Sequence, residues 1–406
     1  MFPLVLAGID LTALAAPLPE TWLSSMDPAA RLCFRNHLGI VAETVSKGVC
    51  SGRARASVGM WDKWITFCDD LGLDPFLETI EDKIPFLQVF IHRVRVGELS
   101  ASGDKVKSRS AEDYLRAVAQ TFLAMGAQDP RLNGALKTDF RISRMLSAWK
   151  REDPPANRVK PIPISVIMHV ARVAQGLPAG PDGDKLRAAA DMIIIAFFFL
   201  LRPGEYTDAP SDTTPFTLGD VQMFIGYTRL DIMTVEERVL DQARSASLTF
   251  TTQKNGVENE VIKQGLSGDP YVCCVRAIKR RVCHLRSHDA PLSSPLGRVY
   301  TRDGRRPTGV TPALITTTLR GAVRILGPGL GFVASDVSAR SLRAAGAMAL
   351  LVAGVDTDII SMLGRWRSDE MFRYLHLTAE PIMRKFAAKM LRADYTMAPS
   401  QLVPCH

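Results

Sequence analysis

The sequence predicts a mainly α-helical protein with a small antiparallel β-sheet, in two main domains. Three observations carry this. Apolar residues recur at a spacing of three to four through most of the chain, the period of an amphipathic helix. A stiff connector with four prolines, Arg151 to Pro163, separates two such regions. Between two short β-prone runs lies Asn255-Gly256, a strong hairpin-turn signal. A length of 406 residues suits two or three domains, and 47% hydrophobic with 23% charged residues is ordinary for a globular protein. The net charge of +8 and pI near 9.2 favour a polyanionic partner. Seven cysteines, an odd number without regular spacing, suit a reduced intracellular compartment.

Taken in order, residues 1–40 read as an N-terminal arm in which Pro17, Pro19 and Pro28 break any long element. The arm lacks a basic leading region and Asp10 interrupts its apolar run, which argues against a secretory signal. Residues 41–150 form a helical domain. Ala54 to Leu71 sets Val58, Trp61, Ile65 and Cys68 on one face; Ile84 to Val96, Ser110 to Met125 and Asp139 to Lys150 follow. A basic loop carries Lys105, Lys107 and Arg109, which either solvate the turn or meet the polyanion. Residues 151–163 are the linker, with Arg158 and Lys160. A second domain spans 164–391, and 392–406 read as a weakly held tail.

Within the second domain, Ser165 to Gln175 and Lys185 to Leu201 are helices. The apolar run Met192 to Leu201 is shorter than the ~20 residues of a membrane span, so it reads as a buried helix and no membrane contact is expected. It stops at Arg202-Pro203-Gly204-Glu205, where Pro203 and Gly204 end it and leave Arg202 at the tip of a rigid element. An arginine complementing the helix dipole would explain Arg202 alone, without Glu205. Phe216 to Phe224, Ser247 to Thr252 and Glu258 to Ile262 read as strands, with Lys254 at the hairpin tip. Cys273, Cys274, Cys283, His284 and His288 invite a zinc reading, but adjacent cysteines lack the usual ligand spacing. That stretch reads instead as a helix with Val275, Ile278, Val282 and Leu285 inward and Arg276, Lys279, Arg280, Arg281 and Arg286 partly outward. A loop from Pro291 to Pro307 and a helix from Thr311 to Leu326 follow.

The chemistry concentrates in Ser338 to His376. Arg340 and Arg343 lie three apart, on one face if helical, and Ala344, Ala345, Gly346 and Ala347 allow another backbone to approach. Asp356 reads as the N-cap of a helix to Leu363, with Gly364 as its stop. Arg365, Trp366, Arg367 and Tyr374 come next. Arginines, an aromatic ring and a tyrosine suit the handling of a phosphodiester.

These residues resemble the second conserved box of the tyrosine recombinases, the phage-integrase-like enzymes. That box carries His-x-x-Arg, then Gly-His or Gly-Trp, then a tyrosine nucleophile. Arg340-Ser341-Leu342-Arg343, Gly364-Arg365-Trp366 and Tyr374 take those places, and Arg202 with Glu205 resembles the first box. The wording is most similar to the Crypton-type integrase-like proteins of eukaryotic mobile elements. The resemblance implies a helical core-binding domain, an α+β catalytic domain, double-stranded DNA as partner, a homo-tetramer on DNA, and a nuclear location if the source is eukaryotic. It implies Tyr374 as nucleophile, Arg202, Arg343 and Arg340 on the phosphate, Lys254 as general acid, and a linker clamping a duplex through Arg158 and Lys160. It places Trp366 beside the phosphate, with Glu205 and Arg365 in support. No metal and no cofactor are called for, because arginines supply the charge. Arg340 stands where histidine is usual and cannot shuttle a proton near neutral pH, so two further readings stay open. One is a DNA-binding protein that retains the scaffold without cleavage. The other is a relaxing enzyme of the type IB topoisomerase kind. Thr378 to Leu391 reads as a last helix with Ile382, Phe386 and Met390 in a stripe, and Tyr395 lies too far along to be the nucleophile.

Overall fold

The computed structural model describes residues 26–48, 51–100, 102–154, 159–209, 214–251, 259–300, 306–366 and 372, together with two dipeptide strands near the N-terminus. Helices dominate, and a four-stranded antiparallel sheet is the main β element among these residues. The chain divides into two compact units, Met1–Ala156 and Asn157–His406.

The first unit contains α1 (Pro28–Lys47), α2 (Ser51–Asp70), α3 (Ile84–Val96), α4 (Ser108–Ala124) and α5 (Phe140–Glu152). Pro28 was expected to break structure; it opens α1 instead. A proline at the first helical position loses no needed N–H, and the Asp27 carboxylate accepts from Ala29 N at 3.0 Å. The core is aromatic: Trp64 sits edge-on to Phe90 at 5.0 Å and beside Phe67 at 5.5 Å, all three fully buried. Each such side chain contributes about 1.5–3 kcal/mol by leaving water. The Trp64 indole N–H donates to Pro75 O at 2.8 Å, so its polar atom is satisfied. Gly97 ends α3 at φ +91°, and a Cβ there would lie 2.4 Å from Gly103 O. Asp139 caps α5 through Arg141 N, and Asp153 beyond its far end accepts from Ser108 N at 2.7 Å, capping α4.

The second unit is built on α6 (Ile164–Gln175), α7 (Pro181–Phe198), a one-turn α8 (Pro203–Tyr206) and α9 (Glu237–Leu240). It continues with α10 (Cys274–Arg286), α11 (Pro312–Leu326), α12 (Ser341–Val352) and α13 (Thr357–Gly364). The sheet runs β2-β1-β3-β4, with β1 Val221–Ile225, β2 Thr228–Leu230, β3 Ser245–Phe250 and β4 Glu260–Gly265. From Ala188 to Phe197 every α7 residue is buried, and α6, α10, α11 and α12 pack around it. In β3–β4 the register pairs Phe250 with Glu260. The intervening hairpin tip, with Lys254, lies outside the described residues.

Three element-level expectations are corrected here. The helix before Arg202 ends at Phe198, not Leu201, because Leu200 takes a left-handed φ of +51°. Pro203 and Gly204 do not merely stop a helix. They begin α8, of which Arg202 is the N-cap residue. Arg281 does not face outward; it is buried and donates to Leu296 O at 3.0 Å and Arg298 O at 2.5 Å. Guanidinium donors meet orphan carbonyls there, and a helical wheel cannot show that. Val275, Ile278, Val282 and Leu285 do face the core. Among the described residues no cluster of three His, Cys, Asp or Glu could hold a metal ion, and no helix is long and apolar enough to cross a membrane.

Candidate functional site

The site is assembled where the end of α7 meets α12 and α13. Gly346 makes the approach possible: a Cβ on it would sit 2.3 Å from Phe197 O and 3.2 Å from the Leu200 side chain. The run of small residues in α12 thus lets the two backbones touch. Leu200, Ala347 and Ile360 form a small buried cluster against which Trp366 packs. With α7 broken at Leu200, the Leu200 carbonyl turns away from the helix axis. It accepts from Arg343 Nη1 at 2.7 Å and Arg365 Nη2 at 3.2 Å.

Glu205 is the electrostatic centre. It is 2% exposed, and a buried carboxylate needs donors on both oxygens. Oε2 accepts from the Arg202 backbone N at 2.8 Å and from Arg365 Nη2 at 3.2 Å, and Oε1 from Arg202 Nη1 at 3.0 Å. Glu205 thus receives both the side chain and the backbone N–H of Arg202. It also grips Arg365, 160 residues away in sequence. The Arg202 side chain remains 28% exposed, so its fork is anchored at one edge and open at the other.

Arg365 carries more structure than expected. Gly364 is the last residue of α13, in keeping with its reading as the stop, and the left-handed residue that follows is Arg365, at φ +56°. Gly364 is required for a different reason, since a Cβ there would overlap the Trp366 ring. Arg365 is buried, bonded to the carbonyls of Phe199, Leu200 and Leu363, with its guanidinium 3.8 Å over the Phe250 ring. Burial pushes its pKa down to about 10, with Glu205 pulling the other way. It stays charged at any working pH.

Arg343 is also buried. Its Nη1 donates to Leu200 O, its Nη2 to Gly364 O, and its guanidinium stacks 4.2 Å over the Trp366 indole. Cation–π contact and two carbonyls therefore fix this arginine in place. Arg340 does not share its environment. The helix begins at Ser341, so Arg340 is the exposed N-cap residue while Arg343 lies one turn inside. The three arginines are thus linked by shared partners: Arg202 to Glu205, Glu205 to Arg365, Arg365 to Leu200 O, and Leu200 O to Arg343.

Of the other expected residues, Lys105, Lys107 and Arg109 are exposed on the first unit, just before and within the first turn of α4. Lys160 is bound to Asp336 at 2.8 Å, which holds that carboxyl below its usual range. Arg158, Lys254 and Tyr374 lie outside the described residues. Tyr206, near Arg202 in sequence, cannot be a nucleophile: it is buried, its hydroxyl donates to Ala339 O at 2.9 Å, and burial raises its pKa. It instead ties α8 to the segment leading into α12. No sequence signal marked Leu200 or Tyr206 as site-building residues.

No protein-family model matches the chain, and no curated protein matches it. Among solved structures it is similar to XerA recombinase, at 12% identity and TM-score 0.36 over 87% of this chain and 97% of that one. It is also similar to the Tn1549 transposon integrase in complex with transposon right end DNA, at 12% identity and TM-score 0.43 over 77% and 85%. A third is the integrase from mycobacterium phage Brujita, at 16% identity and TM-score 0.25 over 86% of each chain.

Proposed function

We propose that the protein is a tyrosine-type site-specific DNA recombinase. The observation that carries the reading is that Arg202 and Arg365 share one buried carboxylate, Glu205, while Arg343 shares the Leu200 carbonyl with Arg365, with Glu260 acting on Arg365 less strongly. Positive charge is in surplus there, which suits a phosphodiester and the added charge of its five-coordinate transition state. The open edge of Arg202 would take the non-bridging oxygens, and Arg343 would join when DNA arrives. Glu205 and Arg365 hold the geometry. Tyr374, as a phenolate favoured by the neighbouring guanidinium groups and with its proton released to solvent, would attack the phosphorus, forming a 3′-phosphotyrosyl bond as the 5′-oxygen departs with a proton from Lys254. The ester energy stays in the linkage, so rejoining consumes no cofactor. Exposed Arg340 would reach phosphate as a fixed charge. Lys105, Lys107 and Arg109 would meet the duplex backbone, as would Arg158 and Lys160 of the linker.

The finer reading is a Crypton-type enzyme of a mobile element, acting as a homo-tetramer on two duplexes, in the nucleus if the source is eukaryotic. It is supported by the wording Ser-Leu-Arg-Ala and Gly-Arg-Trp-Arg-Ser. A second reading, a DNA-binding scaffold without cleavage, is favoured by one observation: Arg343 already has two carbonyl partners. A nicked suicide substrate drawn from DNA flanking the gene decides between them. We expect a covalent adduct on denaturing gels that disappears in Tyr374→Phe while binding persists. Binding without any adduct would establish the scaffold reading, and an adduct lost only in Tyr395→Phe would move the nucleophile.

A further inference from the structure

The first unit carries a groove of about 730 Å³ between the turn that precedes α3 and the loop that joins α4 to α5. Its size falls in the range of ligand pockets, roughly 300–1,000 Å³. Its floor is apolar and rigid. Phe76 lies 5.2 Å from Phe122 and 5.7 Å from Trp61, centroid to centroid, and Met125 lies beside them in the lining. Its rim is acidic. The lining holds five carboxylates, Glu78, Glu81, Asp82, Asp129 and Asp139, against the two cations Lys83 and Arg141. That is a balance of −3 in a chain whose formal charge is +8, or −2 once Arg131, which holds Asp129, is counted. Arg141 is spent on Asp82 and Asp139, and Lys83 donates to Ile80 O. Glu78 and Glu81 are exposed, and among the described residues neither is ion-paired.

The walls are pinned. Asp74 Oδ2 accepts from Phe76 N and Glu78 N, Asn133 Oδ1 accepts from Ala135 N and Lys137 N, and Asp139 N donates to Arg131 O at 2.8 Å. A preformed groove loses little entropy on binding. Its charge repels nucleic acid, so it is no part of a DNA face. We propose that it docks a Lys/Arg-rich segment of another protein, with one aromatic side chain seated on Phe76 and Met125, above the buried Phe122, and flanking cations on Glu78 and Glu81. The occupant's chemistry follows from the groove itself: cations answer the exposed carboxylates of the rim, and one ring covers the apolar floor. The proposal does not depend on the cleavage chemistry.

The test uses the full chain and fluorescein-labelled Gly-Lys-Arg-Trp-Lys-Arg-Gly, read by fluorescence anisotropy. Saturable binding is expected. It should weaken roughly tenfold or more with the Glu78→Lys, Glu81→Lys double variant, because like charges facing across an interface are costly. The charge-swapped peptide, with glutamates for its basic residues, should fail on the wild type and regain binding on that variant. Replacing the peptide's tryptophan by alanine should weaken binding further. Both variant sites are exposed, and circular dichroism checks that the fold is kept. No saturable binding, indifference to the double variant, or indifference to the missing tryptophan would each overturn the proposal. Dimers of the wild type that the double variant dissociates would also overturn it, by making a second copy the occupant.

Discussion

Arg202 and Arg365 both bind Glu205, but their surroundings assign them different work. Arg365 is almost wholly buried, and removing one partner of a buried pair leaves the other charge uncompensated, at a cost of about 3–5 kcal/mol. Arg202 keeps a solvent-facing edge, and the Arg202 backbone N–H and Arg365 still hold Glu205 when that side chain is removed, so its loss costs less than that of Arg365. Arg365→Met should therefore lower the urea midpoint strongly. Arg202→Ala should lower it less, at a cost of about 1–3 kcal/mol for the buried Oε1 left without that donor, while slowing covalent adduct formation by about 10²–10³, the usual effect of losing one donor to the reacting oxygens. Arg202→Lys should rescue poorly, because the planar fork is lost. An Arg365→Met protein as stable as wild type would remove the structural role argued for it. Some of this could be read from residues alone. The Arg202–Glu205 spacing of three already put a carboxylate within reach of the arginine. The grip of Glu205 on Arg365 could not be read, because it depends on a left-handed turn at Leu200 that no glycine announces.

At the scale of elements, the site exists because α12 touches the end of α7 without side chains between them. Gly346→Ala places a methyl 2.3 Å from Phe197 O, a backbone atom that cannot swing aside. Overpacking of this kind costs typically 1–3 kcal/mol. The variant should lose stability by that amount and lose adduct formation with it, whereas Gly321→Ala, in α11 with open space around it, should be neutral. Equal melting of the two variants would show that the helices can part without loss. A second element-scale test concerns α10. His284 accepts a hydrogen bond from Tyr300 N at 3.1 Å, and burial, with Arg281 nearby, holds its pKa down to about 4. The folded protein therefore binds this proton less readily than the unfolded chain, whose histidine titrates near 6.5. Stability from this group is full above about pH 6.5 and is lost as pH falls towards 4. The urea midpoint should decline over that window in wild type and decline less in His284→Asn. Identical profiles would assign the decline to other groups. Most helices were legible because caps and periodicity agree: Asp356 caps α13, Thr311 caps α11, and Ile84–Val96 has the predicted bounds. Helix α1 was not, because Pro28 signals a break unless Asp27 is recognised as its cap.

At the scale of the molecule, the two units have separate aromatic and aliphatic cores, and the chain between them is rich in proline. Each core is closed by its own capped helices, so each unit should fold when expressed alone, as residues 26–154 and 159–406. If both contact DNA, the full chain binds bivalently. Attachment of one unit then raises the effective concentration of the other, and avidity can exceed either affinity by roughly 10²–10⁴ without any new contact. Gel shifts at fixed salt should show each fragment binding weakly and the intact chain binding far more tightly. Adding the two fragments together should not restore that affinity, because the gain comes from the connection. Changing Lys105, Lys107 and Arg109 to glutamine in the intact chain should reduce affinity towards that of the second fragment. It should also flatten the salt dependence, since each lost phosphate contact removes about one released counterion. Full affinity in the second fragment alone would make the first unit a bystander on DNA. Its basic loop would then serve only to solvate the turn before α4.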